Sequence, residues 1–320
     1  MKLKDIYKII VEEGIKQDPR GKDSVAKQLK ERKKLFESLT KENKKEFDLE
    51  SLNNPYADTR IIYGDEDKEI KRTLVGIDMG IGELLLIDSL NSKNKKKIDL
   101  CLSHHPQSFA WAGFYEVMPM QAEILANFGI PINVGEDLLN ERMMEVSRKI
   151  HAANHNRAVD AAKLLDIPLM CAHTASDNFS STFIQNLIDK NKPEKIKDII
   201  NLLKEIPEYR LATQDKAGPK IIMGEENRKT GKVIVEMTGG TEGHQDIFDS
   251  YVQAGVGTII GMHLSEGHFQ KAKGKHLNII VAGHIASDNI GLNLLLDKLQ
   301  KRGSLDIVPC SGFRRIERKA

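Results

Sequence analysis

Cysteine is scarce in this chain of 320 residues: Cys101, Cys171 and Cys310 lie far apart, and no CxxC pair occurs. An odd, scattered set excludes a disulfide framework and a cysteine-based zinc site, and it fits buried thiols in a reducing compartment. Long apolar runs are also missing. No stretch reaches the roughly 18 uncharged apolar residues that a membrane helix needs. Asp5, Glu12 and Glu13 interrupt the N-terminal segment, so no signal peptide is expected there. Nor is one sign of charge in excess: charged residues make up 29% of the chain, yet the net charge is only +2. Bulk binding to nucleic acid or to a membrane usually needs a larger imbalance. These absences together predict a soluble, cytoplasmic protein with no membrane or nucleic-acid partner.

What remains is 40% hydrophobic residues in a chain long enough for one large domain or two smaller ones. Residues 1–60 read as an N-terminal helical extension. Leu3, Ile6, Ile9, Ile10 and Ile15 recur at helical spacing, as do Val25, Leu29, Leu35, Phe36 and Leu39. The lysine-rich tract Lys30–Lys45 carries interleaved glutamates and reads as a solvated face.

From about residue 70, short apolar runs alternate with helical ones. Strands are expected at Thr73–Asp78, Ile98–Ser103, Pro131–Val134, Ile167–Ala172, Lys232–Met237, Gly257–Met262 and Leu277–Ala282. Helices are expected between them, including Pro119–Phe128, Leu138–Leu165 and Gln245–Ala254. Such alternation implies an α/β fold with largely parallel sheets. Two lobes are expected, at 61–190 and 232–320, joined by a connector with a hairpin at 191–231. An internal repeat supports the two-lobe reading. AHTASDN at Ala172–Asn178 and GHIASDN at Gly283–Asn289 share five of seven positions, each between an apolar run and a helical stretch.

Histidine is worth tracking because there are only ten. His104 and His105, before Pro106, follow one strand; His173 and Asp177 follow a second; His284 and Asp288 follow a third. In open α/β sheets, ligand sites lie beyond the carboxyl ends of strands, so three strand ends can deliver these groups to one place. Imidazole with carboxylate suits Zn, Mn or Fe. Helix capping competes for both aspartates, since each precedes a helical stretch, with Ser176 and Ser287 as alternative caps. His263, Glu266 and His268 follow another strand and offer a proton donor or a substrate contact. His151 and His155 lack the glutamate of an HExxH pattern and read as surface. Gly239, Gly240 and Gly243 form a turn between strand and helix; it could hold a phosphate, but it is neither a Walker loop nor a GxGxxG fingerprint.

The motifs DLCLSHHP, AHTASD and AGHIASD, each at a strand end, resemble those of the NGG-one-interacting-factor-three-like family, whose bacterial members are often described as GTP cyclohydrolase type 2. The resemblance spans roughly Arg72–Asp189 and Lys232–Ile316. It implies two similar α/β lobes with a dinuclear metal site between them, and ring-shaped homo-oligomers, typically hexamers. The implied ligands of two divalent ions are His104, His105, Asp177, His284 and Asp288; His173 matches a family histidine not usually counted among the ligands. This chain carries Asp288 where the family usually has glutamate, and it has only the short connector where many members insert a domain. The expected function is a metal-dependent hydrolase acting on a nucleotide-like or phosphorylated small molecule, with His263 or His173 moving protons. The alternative is a non-catalytic metal-binding scaffold that forms a ring.

Overall fold

The computed structural model describes residues 1–318. The chain opens on α1 (Leu3–Lys16), α2 (Lys22–Ser38) and the short α3 (Lys41–Glu46). β1 (Thr59–Tyr63) and β2 (Arg72–Gly76) follow, then α4 (Ile81–Lys93) and β3 (Leu100–Ser103). Helices α5 (Ser108–Ala112), α6 (Met120–Asn127), α7 (Ile132–His151) and α8 (Arg157–Leu165) lead to β4 (Leu169–Ala172) and α9 (Thr174–Asn191). Next come α10 (Ile196–Glu205), α11 (Pro207–Gln214), β5 (Lys220–Met223) and β6 (Lys232–Glu236). The chain ends with α12 (Phe248–Gln253), β7 (Val256–Gly261), α13 (Glu266–Ala272), β8 (Asn278–Val281), α14 (His284–Arg302) and β9 (Asp306–Pro309).

Two mixed sheets result, in the orders β1-β4-β3-β2-β9 and β5-β8-β7-β6. Every pairing is parallel except those of the edge strands β1 with β4 and β5 with β8. The α/β reading with mostly parallel sheets therefore holds. Three local readings need correction. Pro131–Val134 is no strand; α7 starts at Ile132 with Pro131 as its N-cap. Proline, lacking an N–H and fixed in φ, suits a helix start, and the apolar spacing of the following helix reaches back through Ile132. The expected helix 138–165 is two helices, because Asn154 turns the chain by accepting a bond from the Asn156 N–H at 3.1 Å. There is no hairpin within 191–231: β5 pairs with β8, not with β6. β9, near the C-terminus, returns to the first sheet and pairs with β2.

The repeat is longer than the two HxxSD segments. Ile61-Ile62-Tyr63-Gly64 at the end of β1 matches Ile221-Ile222-Met223-Gly224 at the end of β5, and the register shifts at the same place in each. Lys2-Leu3-Lys4-Asp5-Ile6 matches Lys195-Ile196-Lys197-Asp198-Ile199, and each helix start is tied to the loop after its own repeat's edge strand: Leu3 N–H donates to Lys68 O, and Ile196 N–H to Arg228 O, each at 3.0 Å. α1 is thus the counterpart of α10, and the segment expected to be a connector holds the first elements of the second repeat. α1 is no loose appendage either. Leu3, Ile6 and Ile10 are fully buried against α9 and α14, each contributing roughly 1.5–3 kcal/mol.

α9 and α14 pack along each other at the centre of the molecule. Their approach is close because position 291 is glycine: a Cβ there would lie 2.5 Å from Ser176 O. Ser180 adds a hydrogen bond across the contact, its hydroxyl donating to Ser287 O at 3.0 Å. This crossing juxtaposes the first turns of both helices, and with them the two HxxSD motifs. Among the described residues no helix is long and apolar enough to cross a membrane.

Candidate metal centre

β3 ends at Ser103, and the next two residues, His104 and His105, turn over the sheet's carboxyl end. His104 is fully buried. Its Nδ1 lies 3.1 Å from Ala172 O, a carbonyl that can only accept, so Nδ1 carries the proton and Nε2 is left as a lone-pair donor. His105 has the same polarity: Nδ1 is 2.6 Å from Asp78. Each imidazole therefore presents Nε2 inward, oriented by an outer oxygen, as metal-ligating histidines characteristically are.

Neither aspartate caps its helix. The N-caps of α9 and α14 are His173 and Gly283, and neither helix start has a side-chain cap. Ser287 donates to Gly283 O instead, and Ser176 Oγ has no partner. Asp177 and Asp288 sit one turn inside, buried, facing the histidines. His104 Nε2 is 3.4 Å from Asp177 Oδ1 and 3.5 Å from Asp288 Oδ1. His105 Nε2 and His284 Nε2 each lie 3.6 Å from the other oxygen, Asp288 Oδ2. His173 Nε2 is 3.6 Å from Asp177 Oδ2.

These separations are long for hydrogen bonds. His104 Nε2, Asp177 Oδ1 and both oxygens of Asp288 are buried with no hydrogen-bond partner. A buried, unpaired polar atom costs about 1–3 kcal/mol, and more if charged, so four together in one place need an explanation. Donors bound at about 2.0–2.2 Å to one tetrahedral ion stand about 3.3–3.5 Å apart, close to the distances seen. Three overlapping sets offer ligand atoms within 4.8 Å of one another: His104 with His105 and His173, His105 with His284 and Asp288, and His104 with Asp177 and Asp288. The donor set fits metal ions, and all five residues singled out from the sequence converge here.

The electrostatics divide the two carboxylates. Burial, then the charges of Asp288 and Asp58, push the Asp177 carboxyl well above its ordinary range. Burial alone would raise Asp288 too, but the imidazoles of His104, His284 and His105 outweigh it and hold the carboxyl at about 2. Burial keeps His284 neutral, lowering it to about 4 against the pull of Asp288. His284 and Asp288 are thus in the forms that bind a cation, neutral imidazole and ionised carboxylate, and the burial penalty on Asp177 is one that a bound cation would offset.

Four functional side chains escaped the sequence reading. Asp58, fully buried just before β1, lies 2.8 Å from His173 Nδ1 and accepts from the Thr174 hydroxyl at 2.6 Å. Asp78 orients His105. Glu242 lies 3.1 Å from His263 Nδ1, accepts from the Ser265 N–H at 2.7 Å and lies 3.3 Å from His268 Nδ1. Glu236 ends β6. Asp58, Asp78 and Glu236 are marked only by lying at or near strand ends, and Glu242 only by lying in the Gly239–Gly243 turn.

His263 stands beside the centre, its ring centroid 4.9 Å from that of His284. It is the second lobe's counterpart of His105: both stand two residues after the third strand of their sheet, and both have Nδ1 against a carboxylate. A cavity of about 120 Å³ opens next to the centre, with His173, Asp177, His263 and His284 on one wall. Gly239, Gly240 and Gly243 line it as well. Gly239 and Gly240 have φ of 86° and 91° and press against α6 and the turn before it: a Cβ on Gly239 would lie 2.7 Å from Gln121 Cγ, and one on Gly240 3.0 Å from Val117 Cγ2. Gln121 also holds this turn, its amide donating to Gly239 O and Thr241 O at 2.6 and 2.7 Å. Packing thus accounts for those two glycines without a ligand. His155 lies elsewhere, edge-on to Trp111, and His151 is exposed. Glu266 starts α13 on the surface, and His268 is buried against Glu242 and Gly243 O.

No protein-family model matches the chain, and no curated protein matches it. Solved structures do. A NIF3 superfamily protein from Sphaerobacter thermophilus shares 27% sequence identity at a TM-score of 0.70, over 80% of this chain and 91% of that one. HcgD from Methanocaldococcus jannaschii shares 15% identity at a TM-score of 0.49, over 79% and 88%. A Bacillus cereus protein related to NIF3 shares 13% at 0.41, over 88% and 95%. The first of these carries the comparison: the chain has the NIF3 fold and is similar in structure to a member of that superfamily, the family its three motifs resemble.

Proposed function

We propose that the chain is a metal-dependent hydrolase in which His104, His105, Asp177, His284 and Asp288 would hold two divalent ions. The observation that carries this reading is the division of Asp288: Oδ1 belongs with His104 and Asp177, and Oδ2 with His105 and His284. Divalent ions bound there would supply Lewis acidity, polarising an electrophile and making water a competent nucleophile at neutral pH. The protein's own part is to hold five donors in place and to exclude bulk water from His104, Asp177 and Asp288. Asp78, Asp58 and the Ala172 carbonyl fix the imidazole tautomers. His263, with Nδ1 committed to Glu242, keeps Nε2 free to take up or deliver a proton at a molecule in the cavity.

The cavity favours a hydrolase over a scaffold, since a scaffold needs no access to its ions. Hexameric assembly and a cytoplasmic setting belong to the same reading; they rest on the motif resemblance and on the free thiols of Cys101, Cys171 and Cys310. Zn, Mn and Fe all suit the donor set.

The test is elemental analysis of protein purified anaerobically without chelator, followed by a panel of cyclic amides, nucleotides and phosphoesters. Two ions per chain with turnover that His263→Ala reduces by about 10²–10⁴-fold is the outcome expected. Two ions with no turnover on any substrate would turn the case to the scaffold, and no ions after reconstitution would end both readings.

A further inference from the structure

The two lobes are built alike, yet they treat their strand ends differently. In the first lobe, the place beyond β2 is filled. A Cβ on Gly76 would lie 2.4 Å from Met79 Sδ and 3.0 Å from Cys310 O, because the segment after β9 folds over that end of the sheet. In the second lobe, the matching position is Glu236, the last residue of β6, and no strand pairs with the outer edge of β6. There the cavity opens instead, running from the His/Asp centre to a wall of Ile124, Leu138, Phe248 and Tyr251.

The chemistry of this cavity is one-sided. Its lining includes Asp177, Glu236 and Glu242 but no lysine and no arginine. Glu242 is occupied by His263, Ser265 and His268. Glu236 is not. Its side chain is exposed towards the cavity, and among the described residues its carboxyl has no hydrogen-bonding or cationic partner. Burial first, and Glu242 second, push that carboxyl up to about 7. An acceptor that faces the cavity and is engaged by no protein group is free to take a donor brought by a ligand. A phosphate or carboxylate seated at Glu236 would meet like charge there and no lysine or arginine to offset it. The volume, about 120 Å³, is comparable to an engineered cavity of about 150 Å³ that holds benzene, so the enclosed part of the ligand is a single ring.

We propose that this cavity recognises a compact, uncharged or cationic ring carrying N–H donors, seated with those donors on Glu236 and its ring against Phe248 and Tyr251. Any anionic group of the ligand stays outside the cavity or at the metal centre. The inference rests on the hydrolase reading only for the ligand being a substrate; binding itself does not need it.

Benzamidine and benzoate form a matched pair of probes, alike in shape and opposite in charge. Both are titrated by calorimetry into the full-length protein, metal-loaded and chelator-treated, with metal content measured on each sample. Benzamidine is expected to bind both samples, at least tenfold tighter than benzoate binds the chelated one. Glu236→Gln should weaken benzamidine tenfold or more while leaving benzoate unchanged; Glu236→Asp, which should weaken it less, serves if the glutamine variant fails to fold. Equal binding of benzoate to the chelated protein, no binding of benzamidine, or indifference to both substitutions would each overturn the inference. Benzamidine binding that depends on Glu236, in protein that takes up no metal, would remove the hydrolase reading and leave this one standing.

Discussion

His104 Nε2 and Asp177 Oδ1 stand 3.4 Å apart, both buried, and neither has a hydrogen-bond partner. An ion between them would satisfy both, and a ligand that binds only the folded state stabilises it by about 4 kcal/mol at a thousandfold excess over Kd. Chelation is therefore expected to lower the melting temperature by several degrees, and added Zn or Mn to restore it. Asp177→Ala should abolish most of that chelator response along with metal content. Asp288→Glu, which keeps two oxygens, should retain metal where Asp288→Asn loses it. Calorimetric melting curves with parallel elemental analysis measure all of these; a wild-type melt indifferent to chelator and to metal would refute the linkage.

Asp58 connects the first sheet to His173 from outside the candidate metal centre. Its Oδ2 lies 2.8 Å from His173 Nδ1 and accepts from the Thr174 hydroxyl at 2.6 Å, while Oδ1 accepts from the Thr174 N–H at 3.3 Å. Asp58→Asn keeps the shape but replaces an acceptor by a donor. A loss of about 1–3 kcal/mol is expected, the usual cost of an unsatisfied buried group, with metal content unchanged. Denaturant unfolding reads the first and elemental analysis the second. Loss of an ion in this variant would make His173 a ligand.

Glu236 gives a pH signature. Its carboxyl is raised from 4.5 to about 7 by burial and by Glu242. Below pH 4.5 it is protonated whether the chain is folded or not, and it has no effect. Between 4.5 and 7 the unfolded chain ionises first, which favours unfolding; above 7 that penalty is complete. Glu236→Gln lacks it. The variant should therefore melt higher than the wild type at pH 8, with the gap closing as pH falls towards 4.5. Parallel melting curves across that range would sink the idea if the gap stayed constant.

The candidate metal donors were legible because they are rare residues at strand ends, and because the segments bearing His173 and His284 repeat. The outer groups were not. Asp58, Asp78 and Glu242 act through contacts made only when distant segments meet; the Asp58 bond to His173 spans 115 positions. β1 and β5 were missed for a different reason. Each is short and sits at a sheet edge, with only partial alternation in its burial. The signal that marks them is comparative: Ile-Ile-x-Gly-acid-Glu occurs at 61–66 and again at 221–226. In both, the glycine has positive φ and abuts the neighbouring strand's start, Gly64 against Pro168 and Gly224 against Asn278. A repeat that ties two edge strands to two parallel strands fixes the topology of both sheets. Hydrophobic periodicity alone could not, because the parallel strands are buried on both faces and look alike.

Gly291 tests whether the centre depends on how closely the lobes approach. It lies two turns into α14, where a helix ordinarily prefers alanine by about 1 kcal/mol. Here the added methyl would meet Ser176 O at 2.5 Å and Ser176 Oγ at 2.8 Å. The obstacle is partly backbone at the start of α9, so rotamer changes alone cannot relieve it; the helices must separate. Gly291→Ala is therefore expected to destabilise the protein by about 1–3 kcal/mol, the range of core overpacking, reversing the sign that helix propensity predicts. Asp288 lies on one helix and Asp177 on the other, so the same displacement should weaken metal affinity severalfold. Gly82, on α4, has nothing within 4 Å of a built Cβ. Gly82→Ala is the matched control and should stabilise slightly. Chemical denaturation and metal titration of the two variants decide the point: equal behaviour would mean that the α9–α14 contact does not set the geometry of the centre.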